Sequence, residues 1–61
     1  MGKAIVKCSI ATYEINEYVV EVDCEKDDVD EMILARAWKK LKTEEGALPY
    51  GNRTAEIIKR I

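Results

Sequence analysis

Two cysteines are the side chains in this sequence best suited to redox or metal chemistry. Cys8 and Cys24 do not have the Cys-X-X-Cys spacing of a redox pair. The sequence contains no histidine, and a structural zinc site requires four ligands drawn from cysteine and histidine. Both cysteines lie among valine and isoleucine residues, where a thiol usually packs as a small hydrophobic group. We therefore expect two buried free thiols, no metal site and no cofactor.

Carboxylates are concentrated just before the middle of the chain, at Asp27, Asp28 and Asp30. Paired carboxylates can act in general acid and base catalysis, but this segment lacks the Asp-x-Asp-x-Asp-Gly pattern of a calcium loop. Asp28, with Glu31 three residues later, has instead the spacing of a capping box at a helix start. The sequence also lacks a glycine-rich phosphate loop and a nucleophile elbow. We therefore expect no catalytic residues and a protein that is not an enzyme.

The length of 61 residues predicts one domain over residues 1–61. A chain of this size buries only about 60% of the surface that its unfolded form exposes, although a content of 48% hydrophobic and 36% charged residues is typical of a folded domain. No stretch reaches the roughly 20 apolar residues of a membrane span. Lys7 interrupts the apolar N-terminal stretch, which is unlike a signal peptide. We expect a cytoplasmic protein.

Alternation of apolar and polar residues predicts two strands at the start of the chain. Residues 4–15 and 18–25 both show the period of two that is typical of half-buried strands. A hairpin whose loop is residues 15–17 keeps both apolar sets on one face and places Cys8 opposite Cys24. We therefore expect the two buried cysteines to lie in cross-strand contact.

A helix is predicted from Asp28 to about Thr43, because apolar residues recur there at helical spacing. Lysines near its end interact favourably with the negative end of the helix dipole. Gly46 is expected to end the helix. One half of the helix surface holds the apolar residues Val29, Ile33, Leu34, Ala37, Trp38 and Leu41.

The last segment, residues 55–61, fits two structures. As a strand it would place Ala55, Ile57 and Ile61 on one face, and as a short helix it would be capped by Thr54. Isoleucine favours a strand, and a hairpin alone is only marginally stable. The predicted fold class is therefore α+β, in the order β-β-α-β, with one helix packed on a three-stranded antiparallel sheet and the last strand beside the first.

The net charge of −2 is divided unevenly. Residues 1–31 carry a charge of −6, and residues 32–61 carry +4. These charges either belong to solvated surfaces or form a polarised field that steers a partner and sets its orientation. No acidic neighbour in sequence offsets Lys59 and Arg60. The candidate partner-binding residues lie on the last strand and in and after the second strand, and are Arg53, Lys59, Arg60, Glu21, Asp23 and Glu25.

The middle of the chain resembles a known family. The segment Val20-Glu21-Val22, followed by Asp30-Glu31 and then Trp38, is similar to the small inhibitors of host RNA polymerase made by podoviruses. The resemblance covers roughly residues 18–40. It implies a β-β-α-β order and binding to the jaw of the polymerase β′ subunit, through arginines of the last strand and an acidic strip on the sheet.

The resemblance also implies roles for individual residues. Lys59 matches the first of the family's arginines on the last strand, and Glu21 matches a strand glutamate. The second arginine falls on Ile61, which departs from the family pattern, although Arg60 is adjacent.

We therefore expect a small protein-binding domain, a phage or mobile-element inhibitor of a host protein complex such as RNA polymerase. Two alternatives stay open: a nucleic-acid-binding accessory protein that uses the basic helix end and last strand, and a structural homo-oligomer that pairs sheet edges. The acidic composition and the few exposed aromatic residues weaken the nucleic-acid alternative. A strong salt dependence of DNA or RNA binding would favour it.

Overall fold

Strands β1 (Gly2–Ala11) and β2 (Ile15–Cys24) form an antiparallel hairpin in the computed structural model, which describes residues 2–61. Helix α1 (Asp30–Glu45) follows, and strand β3 (Asn52–Arg60) comes last. Strand β3 pairs antiparallel with β1, so the strand order is β2-β1-β3. The predicted α+β fold and β-β-α-β order are confirmed, and the last segment is a strand. Met1, the first residue of the predicted domain, lies outside the described residues.

The core lies between α1 and one face of the sheet. Every second side chain of β1 is buried, because successive side chains of a strand point to opposite faces. Strand β3 contributes no buried residue, and its inward side chains Ala55 and Ile57 are only half-buried. The helix therefore covers β1 and β2 more completely than β3. The buried residues are Ala4, Val6, Cys8, Ile10, Val20, Val22, Cys24, Ile33, Ala37 and Leu41.

The predicted hairpin register is wrong, although the predicted strand faces are right. The loop consists of residues 12–14, and Cys8 pairs with Tyr18, whereas Cys24 pairs with Gly2. The register differs from the prediction by an even number of residues, so alternation cannot distinguish the two. The position of the loop sets the register. The Thr12 N–H donates to the Glu14 carbonyl at 2.9 Å and closes the turn at residues 12–14.

The helix begins one residue later than predicted, because its N-cap is Val29 and not Asp28. Val29, in extended conformation, precedes its first turn without a side-chain cap. Asp28 accepts instead from the Glu25 N–H at 2.8 Å and closes a turn between β2 and α1. Val29 is consequently exposed rather than part of the apolar helix face.

Two glycines are required by the backbone around them. Gly46 ends α1 as predicted, with a positive φ of 80° and its N–H donating to the Lys42 carbonyl at 2.8 Å. Gly51 lies so close to the hairpin loop that a Cβ atom would lie 2.2 Å from the Ala11 carbonyl oxygen. The loop after α1 is therefore held against the hairpin loop.

A bulge near the end of β3 changes which residues face the helix. Val6 pairs with Ile57 and Ile5 pairs with Lys59, which leaves Ile58 without a partner. Arg60 consequently lies opposite the buried Ala4 on the helix side. Ile61 exchanges backbone hydrogen bonds with Lys3, so the prediction that it shares a face with Ala55 and Ile57 is wrong.

We predict that both cysteines of the folded protein react slowly with a thiol reagent. Both thiols are buried, and burial raises the pKa of Cys8, which lowers its thiolate fraction. Cys24 pairs with Gly2, six positions along β1 from Cys8, or about 20 Å at the usual strand rise. Mild oxidation should therefore form no disulfide within the monomer. Fast labelling, or a Cys8–Cys24 disulfide in a peptide map, would contradict the strand faces or the register.

Candidate functional site

The sheet face that α1 leaves uncovered, termed the open face, carries most of the candidate acidic strip. Glu21 and Asp23 of β2 lie on it, and Glu25 lies just beyond the strand in the turn that leads to α1. Tyr13 lies in the hairpin loop and is fully exposed. The strand residues of the open face include Lys3, Ile5, Lys7, Glu17, Val19, Glu21, Asp23, Glu56 and Lys59.

Charges on the open face alternate from strand to strand. The Lys3 ammonium lies 3.2 Å from the Glu21 carboxylate, and the Lys7 ammonium lies 2.9 Å from that of Glu17. These hydrogen bonds, together with the nearby negative charges, raise the pKa of both lysines. Because all four groups are well exposed to water, these pairs contribute little to the stability of the fold. The main effect of the two ion pairs is to hold lysines of β1 beside glutamates of β2 on the open face.

Lys59 lies in the same row of the sheet as Glu21. Ile5 of the central strand pairs with Glu21 on one side and with Lys59 on the other. Among residues 2–61, no acidic side chain lies within ion-pair distance of Lys59. The open face therefore presents a cation on β3 and carboxylates on β2, separated by a half-buried isoleucine. Val19, 66% exposed, adds apolar surface beside them.

Arg60 lies on the opposite face from Lys59, as successive strand residues do, and the bulge determines that Arg60 is the one on the helix side. Its guanidinium donates to the Asp30 carboxylate at 2.6 Å and to the Asp28 carbonyl at 3.2 Å. The sequence places no acid beside it, but the fold brings the start of α1 within reach. Lys59 and Arg60, both candidate binding residues, therefore lie on different surfaces, and Arg60 joins β3 to the helix start.

Arg53 lies at the other end of β3, also on the helix side. Its guanidinium stacks over the indole ring of Trp38, 5.6 Å from the ring centroid. A cation over an indole face is stabilising, and the contact holds the half-buried Trp38 against β3. The structure thus brings Lys59, Glu21 and Asp23 onto one face and separates them from Arg53, Arg60 and Glu25.

Two helix cations act on the outer edge of β2, which sequence reasoning did not find. Arg36 donates to the Asp23 carbonyl at 3.2 Å, and Lys40 donates to the Glu21 carbonyl. The two residues are four positions apart and so lie on one side of α1. The spacing of Arg36 and Lys40 can be seen in the sequence. It does not identify the carbonyl groups that they contact, because the sequence does not show that β2 lies at the sheet edge. A groove of about 540 Å³ runs between α1 and this edge.

Asp28 links the turn after β2 to the helix. Its carboxylate accepts from the Glu25 N–H and from the Arg36 guanidinium. The Glu25 N–H makes the larger contribution, and with Arg36 it lowers the pKa of Asp28 below its ordinary value of 3.8. Arg36 therefore connects this turn with the carbonyl of Asp23 on the β2 edge.

The structure also bears on metal binding and on membrane crossing. Within residues 2–61, no three Cys, Asp or Glu side chains are placed to hold a metal ion. The helix of this described part is too short and too polar to cross a membrane.

We predict that Asp28→Asn destabilises the protein at neutral pH and that the difference from wild type disappears in acid. Because the pKa of Asp28 is lowered by folding, its carboxylate stabilises the folded state above the unfolded pKa. This contribution is lost as the pH falls through the lower folded value. Thermal unfolding from pH 7 to below 3.8 measures the effect, and Asp27→Asn, the same change one residue earlier, is the control. A difference that persists unchanged in acid would exclude the carboxylate as its cause.

We predict that Arg53→Ala changes the fluorescence of Trp38, the single tryptophan of the sequence. Loss of the stacked guanidinium should expose the indole to a soluble quencher and cost about 0.5–1 kcal/mol of stability. Lys42→Ala, which removes a cation from the pocket that Lys42 and Arg53 line together, should leave the emission close to that of wild type. Equal quenching in wild type and Arg53→Ala would show that the stacking does not persist in solution.

Comparison of the chain with protein-family models, curated proteins and solved structures finds no match.

Proposed function

We propose that this chain is a small, non-enzymatic, cytoplasmic protein-binding domain that presents its open face to a larger partner. The observation that carries the proposal is the row Glu21–Ile5–Lys59 across all three strands. It places opposite charges on either side of an apolar side chain, on a face that no other element covers. Such a pattern orients a partner of complementary charge and rejects one that is rotated.

The first candidate partner is bacterial RNA polymerase, so that the chain would be a phage protein for host takeover. This identification rests on the resemblance to podovirus polymerase inhibitors. Lys59, the residue that matches the first family arginine, lies on the open face with Glu21, the matching glutamate. Arg60, in contrast, pairs with Asp30 within the domain. We therefore assign partner binding to Lys59, Glu21 and Asp23, and a structural contact to Arg60.

Nucleic-acid binding is the less favoured alternative. Arg36, Lys40 and Arg60 form hydrogen bonds within the domain. The other cations of the helix end and last strand lie on different surfaces. Lys39 and Lys42 belong to α1, whereas Lys59 lies on the open face, on the opposite side of the sheet. A phosphate backbone is best bound by a continuous basic surface, which these positions do not form.

We predict that Lys59→Glu weakens binding to purified bacterial RNA polymerase, whereas Lys39→Glu does not. Reversal of a charge that is desolvated in a complex costs about 2–5 kcal/mol. Lys39 lies exposed on α1, so its reversal changes the net charge equally but leaves the open face intact. Binding is measured by surface immobilisation of the polymerase, and inhibition by single-round transcription. Absence of polymerase binding by wild type would reject this partner, and equal affinities of the two variants would reject the open face.

The same series separates the role of Arg60. Arg60→Glu removes the ion pair with Asp30 and places two carboxylates together, so it should lower the stability by about 1 kcal/mol. Its affinity for the polymerase, measured where the variant is folded, should match that of wild type. Loss of affinity without loss of stability would return Arg60 to the binding surface.

A further inference from the structure

The two edges of the sheet differ in how their backbone groups are covered. Along β2, the carbonyl groups of Glu21 and Asp23 point outward and accept hydrogen bonds from Lys40 and Arg36. A strand arriving at this edge would have to displace both side chains. Cations that cover an edge are a known protection against strand addition. The β2 edge is thus closed along the half next to α1.

The edge of β3 has no comparable cover. Lys3 exchanges two backbone hydrogen bonds with Ile61, so alternate residues of β1 bond toward β3. By this alternation, Glu56, paired with Lys7, bonds inward, and the N–H and C=O groups of Ala55 point outward. Within residues 2–61, no side chain or loop hydrogen-bonds to the main chain of Ala55.

An incompletely covered apolar strip lies beside the open edge. Leu34 and Trp38 of α1 and Ala55 and Ile57 of β3 pack against the core but remain half-buried. The corresponding inward residues of β1 are fully buried. The strip therefore occupies the position that a fourth strand would cover.

We propose that a second copy of this chain covers it, by antiparallel pairing of β3 with β3 about a twofold axis at Ala55. In this register Arg53 lies opposite Ile57 of the second copy, and Thr54 lies opposite Glu56. No like charges face each other directly, and the Thr54 hydroxyl can donate to the Glu56 carboxylate. The pairing spans residues 53–57, because the bulge after Ile57 ends the regular edge.

Charge and the limits of β3 favour this register over its two neighbours. An axis at Glu56 would place the two Glu56 carboxylates directly opposite each other, which is destabilising. An axis at Thr54 would place Ile57 opposite Gly51, which precedes the strand. An axis at Ala55 instead pairs Ile57 within the strand, with Arg53 of the second copy, and brings no like charges into direct opposition.

The paired sheets would form one six-stranded sheet, a common size. A twofold axis perpendicular to the sheet places both helices on one side and both open faces on the other. The Leu34 and Trp38 side chains of each copy would then face the junction. Lys59 and Glu21 would stay uncovered, so the dimer is independent of the partner-binding proposal and would present two binding faces side by side.

Sedimentation of three proteins tests the proposal: wild type, Ala55→Pro and Val19→Pro. Proline removes a backbone N–H, and the N–H groups of Ala55 and Val19 both point away from β1, on the β3 and β2 edges respectively. Over about 10 µM to about 1 mM, the range suited to a small interface, wild type and Val19→Pro should approach twice the monomer mass. Ala55→Pro should remain a monomer.

Several outcomes would overturn the proposal. These are a wild type that stays monomeric throughout, an Ala55→Pro variant that dimerises like wild type, or a Val19→Pro variant that loses the dimer while circular dichroism shows it folded. If either proline variant fails to fold, Ala55→Cys decides, because a residue on the axis should form an intermolecular disulfide under mild oxidation. Val19→Cys is its control and should not. Absence of the Ala55→Cys link, or an equal yield from Val19→Cys, would reject the β3 interface.

Discussion

A single helix must cover a three-stranded sheet in this protein, and it cannot cover all of it. Helix α1 buries alternate residues of β1 and β2, while β3 receives only partial cover and contributes no buried residue. In a domain of this size, hydrophobic burial supplies a small surplus over the cost of ordering the chain. The position of α1 therefore determines both where the stability comes from and which surfaces stay available for binding.

The charges are arranged around that asymmetry. On the β2 side, Arg36 and Lys40 reach from α1 to backbone carbonyls of the sheet edge. At the end of β3, Arg60 reaches in the opposite direction, to Asp30 at the helix start. These cations hold the helix over the sheet. Lys59 makes no such contact within residues 2–61, and in the proposed function it is available to a partner.

The sequence predicts what depends on local pattern. Alternation assigns the strand faces, and helical spacing assigns Ile33, Ala37 and Leu41 to the core. The hairpin register was not predictable in this way, because an even shift preserves every face. The bulge after Ile57 was also hidden, and it places Lys59 on the open face and Arg60 on the helix side. The contacts of Arg60 and Arg36 join residues far apart in sequence, so they follow only from the fold.

Residue-resolved amide hydrogen exchange tests the unequal covering of the sheet most directly. In dilute solution the inward N–H groups of Thr54 and Glu56 should exchange slowly, whereas the outward N–H of Ala55 should exchange at a rate close to that of an unprotected amide. As the protein concentration rises, protection should appear at Ala55 and remain unchanged at Val19 on the β2 edge. Strong protection of Ala55 at every concentration would show that β3 is already covered within the monomer, and would contradict this account.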